Sequence, residues 1–243
     1  MTNNPAAKNP AERIFCALDT TDVSEAVVLA ETLKGTIGGV KLGLEFFCSA
    51  GPAGFEAVAK TGMPIFLDLK FHDIPNTVAG AIRSVMPLAP KILTIHTQGG
   101  PEQMKRAADM AAEAAASCNV VKPWVVGVTI LTSLDDSDLR AIGVNDPVAD
   151  QVARLAALAN ESGLDGMVCS PKEITLARAA THPDFKLIVP GIRPAGSAVG
   201  DQKRVMTPLD AVTAGADVLV IGRPITTADD PAEAARAIAA SLA

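Results

Sequence analysis

The sequence predicts a single (β/α)8 barrel, the TIM-barrel fold of the α/β class, from three observations. Short apolar, β-rich runs recur along the chain with amphipathic segments between them, and eight such strand–helix units can be counted. This alternation is typical of a parallel sheet covered by helices, and eight units indicate a closed barrel rather than an open sheet. The length of 243 residues suits one such domain, because α/β barrels commonly reach this size.

The predicted strands are apolar runs that end in polar residues or glycine. They cover residues 13–18, 39–44, 64–69, 91–96, 124–131, 166–169, 186–189 and 217–221. Helical spacing predicts helices over residues 21–33, 54–60, 77–88, 102–116, 148–162, 171–179 and 231–241. Residues 1–11 are polar and contain proline, so we expect a loose tail before a barrel domain at residues 12–243.

Composition and charge exclude several classes of function. The net charge of −6 and the absence of a basic block argue against a nucleic-acid partner. No apolar run approaches the length that spans a membrane, and the start of the chain lacks the features of a signal peptide. The four cysteines form no C-x-x-C pair, which predicts buried thiols rather than a zinc site or disulfides. A reducing cytoplasm suits such a protein.

Residues 66–77, with the sequence FLDLKFHDIPNT, place several charges beside an apolar strand. On a strand, residues i and i+2 share a face, so Asp68 and Lys70 should point the same way, roughly 7 Å apart along the backbone. Asp73 follows where the chain turns toward a helix that begins near Pro75. Such charges are costly to desolvate unless they pair. Alone, the motif is compatible with a buried structural ion pair or with a catalytic cluster.

Polar residues also fall at the C-terminal ends of the other predicted strands, where barrel enzymes build their active sites. Any one of them has an ordinary explanation, because strand ends meet water. The whole set on one rim favours a functional pocket. The set comprises Asp19, Lys41, Asp68, Lys70, His96, Thr132, Arg193, Gly222 and Arg223.

The loops after strands seven and eight are the usual phosphate site of these barrels. Here they offer Arg193, Gly222 and Arg223, with glycine allowing close backbone approach and arginine donating bidentate hydrogen bonds. Between them, residues 194–205 (PAGSAVGDQKRV) form a long loop that includes Gln202. This loop is interpreted either as a lid over a bound phosphate or as an ordinary surface loop.

Across the predicted barrel mouth, Lys41, Asp68, Lys70 and Asp73 form a cluster of alternating charge. The two lysines would repel a metal ion and histidine ligands are absent, so we predict no metal site. A lysine held between carboxylates keeps its proton and can act as a general acid. The cluster therefore predicts proton delivery to a phosphorylated substrate without a cofactor.

The residues named above resemble the family of orotidine 5′-phosphate decarboxylases, which form UMP in the last step of pyrimidine biosynthesis. The likeness runs from the Ala-Leu-Asp at 17–19 to the Gly-Arg at 222–223, and residues 66–77 are very similar to the family signature. The segments VPGIR at 189–193 and GDQ at 200–202 resemble bacterial members.

This resemblance implies a role for each member of the charged cluster. Lys70 would donate a proton to C6 of the pyrimidine after carbon dioxide leaves, and Asp68 would lie against the substrate carboxylate. Lys41 and Asp73 would complete a charged tetrad. Asp73 and Thr77 would reach the site of the partner subunit, so the implied assembly is a homodimer. The implied substrate-binding residues are Asp19 and Lys41 for the ribose, Thr132 for the ring, Arg193, Gln202, Gly222 and Arg223 for the phosphate, together with Asp68, Lys70, Asp73, Ile74 and Thr77.

Two other functions remain open from the sequence. Magnesium-dependent sugar-phosphate decarboxylases and aldolases of related barrels also carry Asp-x-Lys-x-x-Asp, but they place an acidic metal ligand where this chain has Lys41. A non-catalytic nucleotide-binding barrel is the second alternative, against which the intact tetrad argues. The roles of His72 and His96 stay undecided, since neither has the serine or cysteine neighbour that nucleophilic catalysis requires.

Overall fold

A computed structural model of the chain describes residues 9–194 and 206–242 and confirms the predicted barrel. Within these residues eight parallel strands pair in sequence order, and the last pairs with the first to close the sheet. The strands are β1 (Ile14–Ala17), β2 (Gly39–Gly43), β3 (Ile65–Phe71), β4 (Ile92–His96), β5 (Trp124–Val128), β6 (Gly166–Val168), β7 (Lys186–Pro190) and β8 (Val218–Ile221).

Helices surround this sheet. They are α1 (Val23–Leu33), α2 (Leu44–Ala59), α3 (Pro75–Val85), α4 (Gly100–Cys118), α5 (Asp136–Ala141), α6 (Val148–Glu161), α7 (Ile174–Ala179), α8 (Pro208–Ala214), α9 (Arg223–Thr226) and α10 (Pro231–Ala240). Short 3-10 helices cover Pro10–Arg13, Met86–Leu88, Thr97–Gly99 and Pro171–Glu173.

Three of these helices were not predicted, and one begins earlier than predicted. Helices α5, α8 and α9 have six, seven and four residues, too few turns to show an apolar periodicity. Helix α2 begins at Leu44, ten residues before the predicted helix. Its two parts are separated by Gly51, which has a φ of +59°, and by Pro52. The first part of α2 was not predicted from the sequence, because a proline interrupts the pattern of a continuous helix.

The barrel interior is apolar at its base and polar at its C-terminal mouth. Phe15 and Phe66 meet edge to face inside the barrel, with ring centroids 6.5 Å apart, and Ile92 packs in the same cluster. Side chains alternate along a strand, so Asp68 and Thr94, two residues beyond Phe66 and Ile92, also point inward. The larger apolar cluster lies between the strands and the helices.

Cys16 and Cys169 are buried, as predicted. The prediction is wrong for Cys48 and Cys118, which are exposed because they lie on the solvent faces of α2 and α4. No helix in the described ranges is long and apolar enough to cross a membrane.

Of the predicted tail, residues 1–8 lie outside the described residues. Asn9 caps the short helix Pro10–Arg13, in which Ala11 is buried. The boundary between tail and barrel at residue 12 therefore stays a prediction. Of the predicted lid at residues 194–205, residues 195–205, which include Gln202, also lie outside the described residues.

Candidate active site

The structure brings three members of the predicted tetrad into direct contact. Asp68 Oδ2 lies 2.9 Å from Lys70 Nζ and 3.5 Å from Lys41 Nζ. On its other side Lys41 Nζ lies 3.4 Å from Asp19 Oδ1. Asp68 is only 8% exposed, whereas 64% of the Asp19 side chain is accessible to solvent. A buried carboxylate thus lies between two ammonium groups at the mouth of the barrel.

Two opposing effects act on the ionisation of Asp68. Burial alone would raise its pKa, since it disfavours the charged form. The positive charges of Lys41 and Lys70, with hydrogen bonds from Lys70 and Thr94, outweigh burial and lower the pKa of Asp68 below its ordinary value. Asp68 is therefore an anion at neutral pH, although it is buried.

Lys70 reaches Asp68 from a distorted end of β3. Its side chain lies on the same side as that of Asp68, as predicted, but the backbone is not regular there. Lys70 adopts a left-handed conformation with a φ of +51°, and the pairing of β3 with β4 shifts register between Leu67 and Phe71. A left-handed backbone is unfavourable for a residue other than glycine, so the surrounding structure must hold it in place.

Thr94 of β4 is part of this cluster, although the predicted site did not include it. It is fully buried. Its Oγ1 accepts a hydrogen bond from the Lys70 backbone N–H at 2.8 Å and donates one to Asp68 Oδ1 at 3.0 Å. The alternation along β4 contained the signal: Thr94 lies two residues before His96 and two after the inward-facing Ile92.

Gly43 is a second residue that the predicted site did not include. It pairs with Asp68 across the sheet. A Cβ at this position would lie 3.2 Å from Lys41 Nζ and 4.0 Å from Asp19 Oδ1. The absence of a side chain therefore leaves room for the Lys41 ammonium group.

A cavity of about 220 Å³ opens beside the charged cluster. Lys41, Asp68 and Lys70 contribute its polar groups, and Thr132 lies on its wall. The rest of the lining is largely apolar and includes Phe66, Val128, Ile130, Leu131, Val168 and Val220. Apolar side chains therefore form most of the surface beside the charged groups.

A second cavity, of about 500 Å³, adjoins the first and shares Lys41, Pro190 and Val220 with it. The predicted phosphate residues Arg193, Gly222 and Arg223 line it, and so does Asp19. Burial and the nearby positive charge of Arg223 lower the pKa of Arg193. Two neighbouring guanidinium groups that repel each other form a site that an anion would stabilise.

Asp73, Ile74 and Thr77 lie apart from both cavities in the single chain. All three are exposed, and 67% of Ile74 is accessible to solvent. Asp73 Oδ1 accepts a hydrogen bond from the Ile74 N–H at 2.7 Å. Within the described ranges, Asp73 makes no ion pair with Lys41 or Lys70.

The two histidines of this region contact each other. The rings of His72 and His96 are 5.3 Å apart between centroids, and neither residue lines the two cavities. Burial, followed by the charges of His72 and Lys70, lowers the pKa of His96 against the opposing effect of Asp68. Among the described residues, no group of three or more His, Cys, Asp or Glu side chains is arranged to hold a metal ion.

The profile of one protein family matches nearly all of the barrel. It is that of the orotidine 5′-phosphate decarboxylase / HUMPS family, and it covers residues 12–238. The chain belongs to this family.

Individual members of the orotidine 5′-phosphate decarboxylase / HUMPS family match over almost their whole length. The chain is 56% identical to the orotidine 5′-phosphate decarboxylase of Paramagnetospirillum magneticum, covering 94% of this chain and 97% of the relative. It is 52% identical to that of Rhodospirillum rubrum, covering 98% of this chain and 97% of the relative. The crystal structure of orotidine 5′-phosphate decarboxylase from Lactobacillus acidophilus superposes with a TM-score of 0.83 at 35% identity, covering 94% of this chain and 98% of that chain. The resemblance in the sequence is confirmed.

Proposed function

We propose that this protein decarboxylates orotidine 5′-phosphate to UMP and carbon dioxide without a cofactor, the last step of de novo pyrimidine biosynthesis. The observation that carries the proposal is the 2.9 Å contact of Lys70 Nζ with the buried Asp68 carboxylate, on the wall of an apolar cavity. An adjoining cavity lined by two arginines provides for a phosphate. Relatives with this activity in their names, at 56% and 52% identity, support the same function.

The two cavities suggest how the substrate lies. The pyrimidine ring occupies the smaller cavity, where Thr132 contacts it, and the phosphate occupies the larger one. Lys41, which borders both cavities, and Asp19, which lines the larger one beside Lys41, bind the ribose hydroxyls. Gln202 belongs to this proposal through the family resemblance. The phosphate-binding residues are Arg193, Gln202, Gly222 and Arg223.

The chemical difficulty lies at C6 of the ring. The bond from C6 to the carboxylate carbon breaks and leaves its electron pair on C6, with no adjacent carbonyl to accept the charge. The Lys70 ammonium stabilises this developing carbanion in a cavity whose walls are largely apolar. Lys70 then transfers a proton from Nζ to C6, which completes UMP, and regains a proton from solvent.

Asp68 acts on the group that leaves. Its carboxylate lies against the substrate carboxylate, and the repulsion between the two raises the energy of the bound substrate. Departure of neutral carbon dioxide removes this repulsion. Because Lys41 and Lys70 keep Asp68 ionised, the repulsion is present at neutral pH.

The proposed assembly is a homodimer in which Asp73, Ile74 and Thr77 complete the site of the partner subunit. The exposure of all three residues and their separation from the cavities of their own chain support this arrangement. Asp73 would then supply the fourth charge of the tetrad. We also propose a cytoplasmic location, which the four free cysteines support.

The main alternative is a magnesium-dependent sugar-phosphate decarboxylase or aldolase, since related barrels with that activity also carry the Asp-x-Lys-x-x-Asp motif of residues 68–73. Lys41 argues against this function, because its ammonium lies 3.5 Å from Asp68 and 3.4 Å from Asp19. A divalent cation bound by either carboxylate would lie next to that positive charge.

The test is a spectrophotometric assay of orotidine 5′-phosphate with the purified protein, with and without EDTA. We expect the substrate absorbance to fall at the same rate in both, and UMP to be recovered in equal amount. Loss of turnover on chelation would favour the magnesium-dependent function. Binding of UMP without any turnover would instead indicate a non-catalytic nucleotide-binding barrel.

A further inference from the structure

The backbone N–H of Lys70 cannot take the partner that a regular strand would provide. The left-handed conformation of Lys70 coincides with the shift of register between β3 and β4, and such a bulge interrupts the ladder of hydrogen bonds. A buried N–H without an acceptor is destabilising. The Thr94 hydroxyl takes the place of the missing acceptor, at 2.8 Å.

The same hydroxyl orients the Asp68 carboxylate. Thr94 Oγ1 donates its single proton to Asp68 Oδ1, at 3.0 Å. The other oxygen, Oδ2, faces Lys70 at 2.9 Å and Lys41 at 3.5 Å. Each carboxylate oxygen thus has its own partners, and a rotation that tilted the carboxylate out of its present plane would break the bond to Thr94.

We propose that Thr94 is a positioning residue for decarboxylation, because one hydroxyl group sets both the backbone of Lys70 and the plane of the Asp68 carboxylate. This inference rests on the function proposed above. Thr94 itself lines neither cavity and therefore acts on the substrate only through the other two residues. Its full burial, with its proton and a lone pair both engaged, keeps water from replacing either bond.

Two pairs of variants test the hydroxyl separately from the shape of the side chain. Thr94→Val keeps the shape and removes the hydroxyl, and Thr94→Ser keeps the hydroxyl. We expect Thr94→Val to lower kcat by about 10²-fold, the size of effect that a misplaced catalytic group produces, with KM and the dissociation constant of UMP nearly unchanged. Thr94→Ser should retain most of the wild-type kcat. Thr94→Ala compared with Thr94→Ser repeats the test with a smaller side chain if Thr94→Val does not fold.

Thr97→Val is the matched control. Thr97 is also fully buried just beyond β4, and its hydroxyl donates to the Val128 carbonyl at 3.0 Å, away from Asp68 and Lys70. Its loss should lower stability and leave kcat close to wild type. A similar loss of kcat in Thr97→Val and Thr94→Val would show a general effect of removing a buried hydroxyl and would overturn the proposal.

The pH profile adds a readout that a purely structural role would not change. Asp68 faces Lys41 from β2, Lys70 from β3 and the nearby His96 from β4. Loss of the bond from Thr94 removes one interaction that favours the charged carboxylate. In a plot of kcat against pH, the fall in kcat on the acidic side should therefore move to higher pH in Thr94→Val and keep its wild-type position in Thr94→Ser.

The outcomes separate this inference from the proposed function. A wild-type protein that decarboxylates orotidine 5′-phosphate, with Thr94→Val equal to it in kcat and pH profile, would overturn the role of Thr94 alone. An inactive wild-type protein would overturn the proposed function. In that case a crystal structure of Thr94→Val decides the role of the hydroxyl: a rotated Asp68 carboxylate and a changed Lys70 backbone support it, and an unchanged cluster overturns it.

Discussion

Asp68→Asn should destabilise the folded barrel, because it removes the negative charge from between two lysines while keeping the size of the side chain. Asp68 Oδ2 lies 2.9 Å from Lys70 Nζ and 3.5 Å from Lys41 Nζ, and Asp68 is 8% exposed. Desolvation offsets much of this attraction in the wild-type protein. In the variant, however, both ammonium groups lose the buried carboxylate between them, and Lys41 keeps only its contact with the exposed Asp19, at 3.4 Å.

The size of this effect follows from the burial of the cluster. Removing one partner of a buried pair costs about 3–5 kcal/mol. The side chains of Lys41 and Lys70 are 13% and 28% exposed, so they remain partly hydrated and the lower end applies. A loss of about 3 kcal/mol lowers Tm by about 6–12 °C in a protein of this size.

The destabilisation should depend on pH in a defined direction. The pKa of Asp68 is lowered in the folded protein, so its charge stabilises the fold above the unfolded pKa of about 3.9. This contribution is lost as the pH falls through the folded pKa. The gap between wild type and Asp68→Asn should therefore be full at pH 7 and close at strongly acidic pH.

Urea unfolding followed by circular dichroism, from pH 7 downward, measures the gap. Asp19→Asn is the matched control, because it removes the other carboxylate next to Lys41. The Asp19 side chain is 64% exposed, so its pair should contribute less than about 1 kcal/mol. A variant Asp68→Asn as stable as wild type at pH 7 would refute the reasoning that Asp68 neutralises the two lysines.

Three further predictions concern catalysis. Lys70→Ala should lower kcat by at least about 10⁴-fold, since it removes both the proton donor and the stabilising charge, while UMP still binds in a titration. A near-wild-type rate would exclude Lys70 as the acid. The control is Lys105→Ala, which replaces an exposed lysine of α4. Equal mixing of Lys70→Ala with Asp73→Ala subunits should restore about a quarter of the wild-type rate. Half of the dimers are then mixed, and each mixed dimer has one intact site out of two. No recovery of activity after confirmed subunit exchange would place Asp73 in the site of its own chain. Orotidine, which lacks the phosphate, should lose turnover as well as affinity, because phosphate binding at Arg193 and Arg223 holds the ring in place; an unchanged kcat at saturation would contradict this.

Strand periodicity predicts much of the site, because alternation determines which residues face the interior. Lys41 and Asp68 follow from that rule, and Thr94 follows from it too once Ile92 is placed inside the barrel. The alternation of inward-facing and outward-facing residues no longer describes the backbone at the end of β3. The left-handed backbone of Lys70 is sustained by a hydroxyl on the neighbouring strand, a long-range contact that no local pattern encodes.

The proposed role of Asp73 comes from the family resemblance and not from strand or helix periodicity. Asp73 lies between β3 and α3, where neither the period of a strand nor that of a helix applies. Helix α8 was not predicted, because its seven residues span only about two turns and show no clear apolar periodicity. The barrel itself was predictable, since eight repeats of one pattern reinforce each other even when single boundaries are wrong.

The shared wall of the two cavities has a consequence for inhibitor design. One cavity is small and apolar, the other is lined by arginines, and Lys41, Pro190 and Val220 border both. A flat heterocyclic fragment and an anionic fragment could each be optimised alone and then joined by a short tether past Lys41. Joining them makes the second binding event intramolecular, at an effective concentration of about millimolar for a short flexible linker. The tether should carry hydrogen-bond acceptors, because it must pass an ammonium group on its way between the fragments.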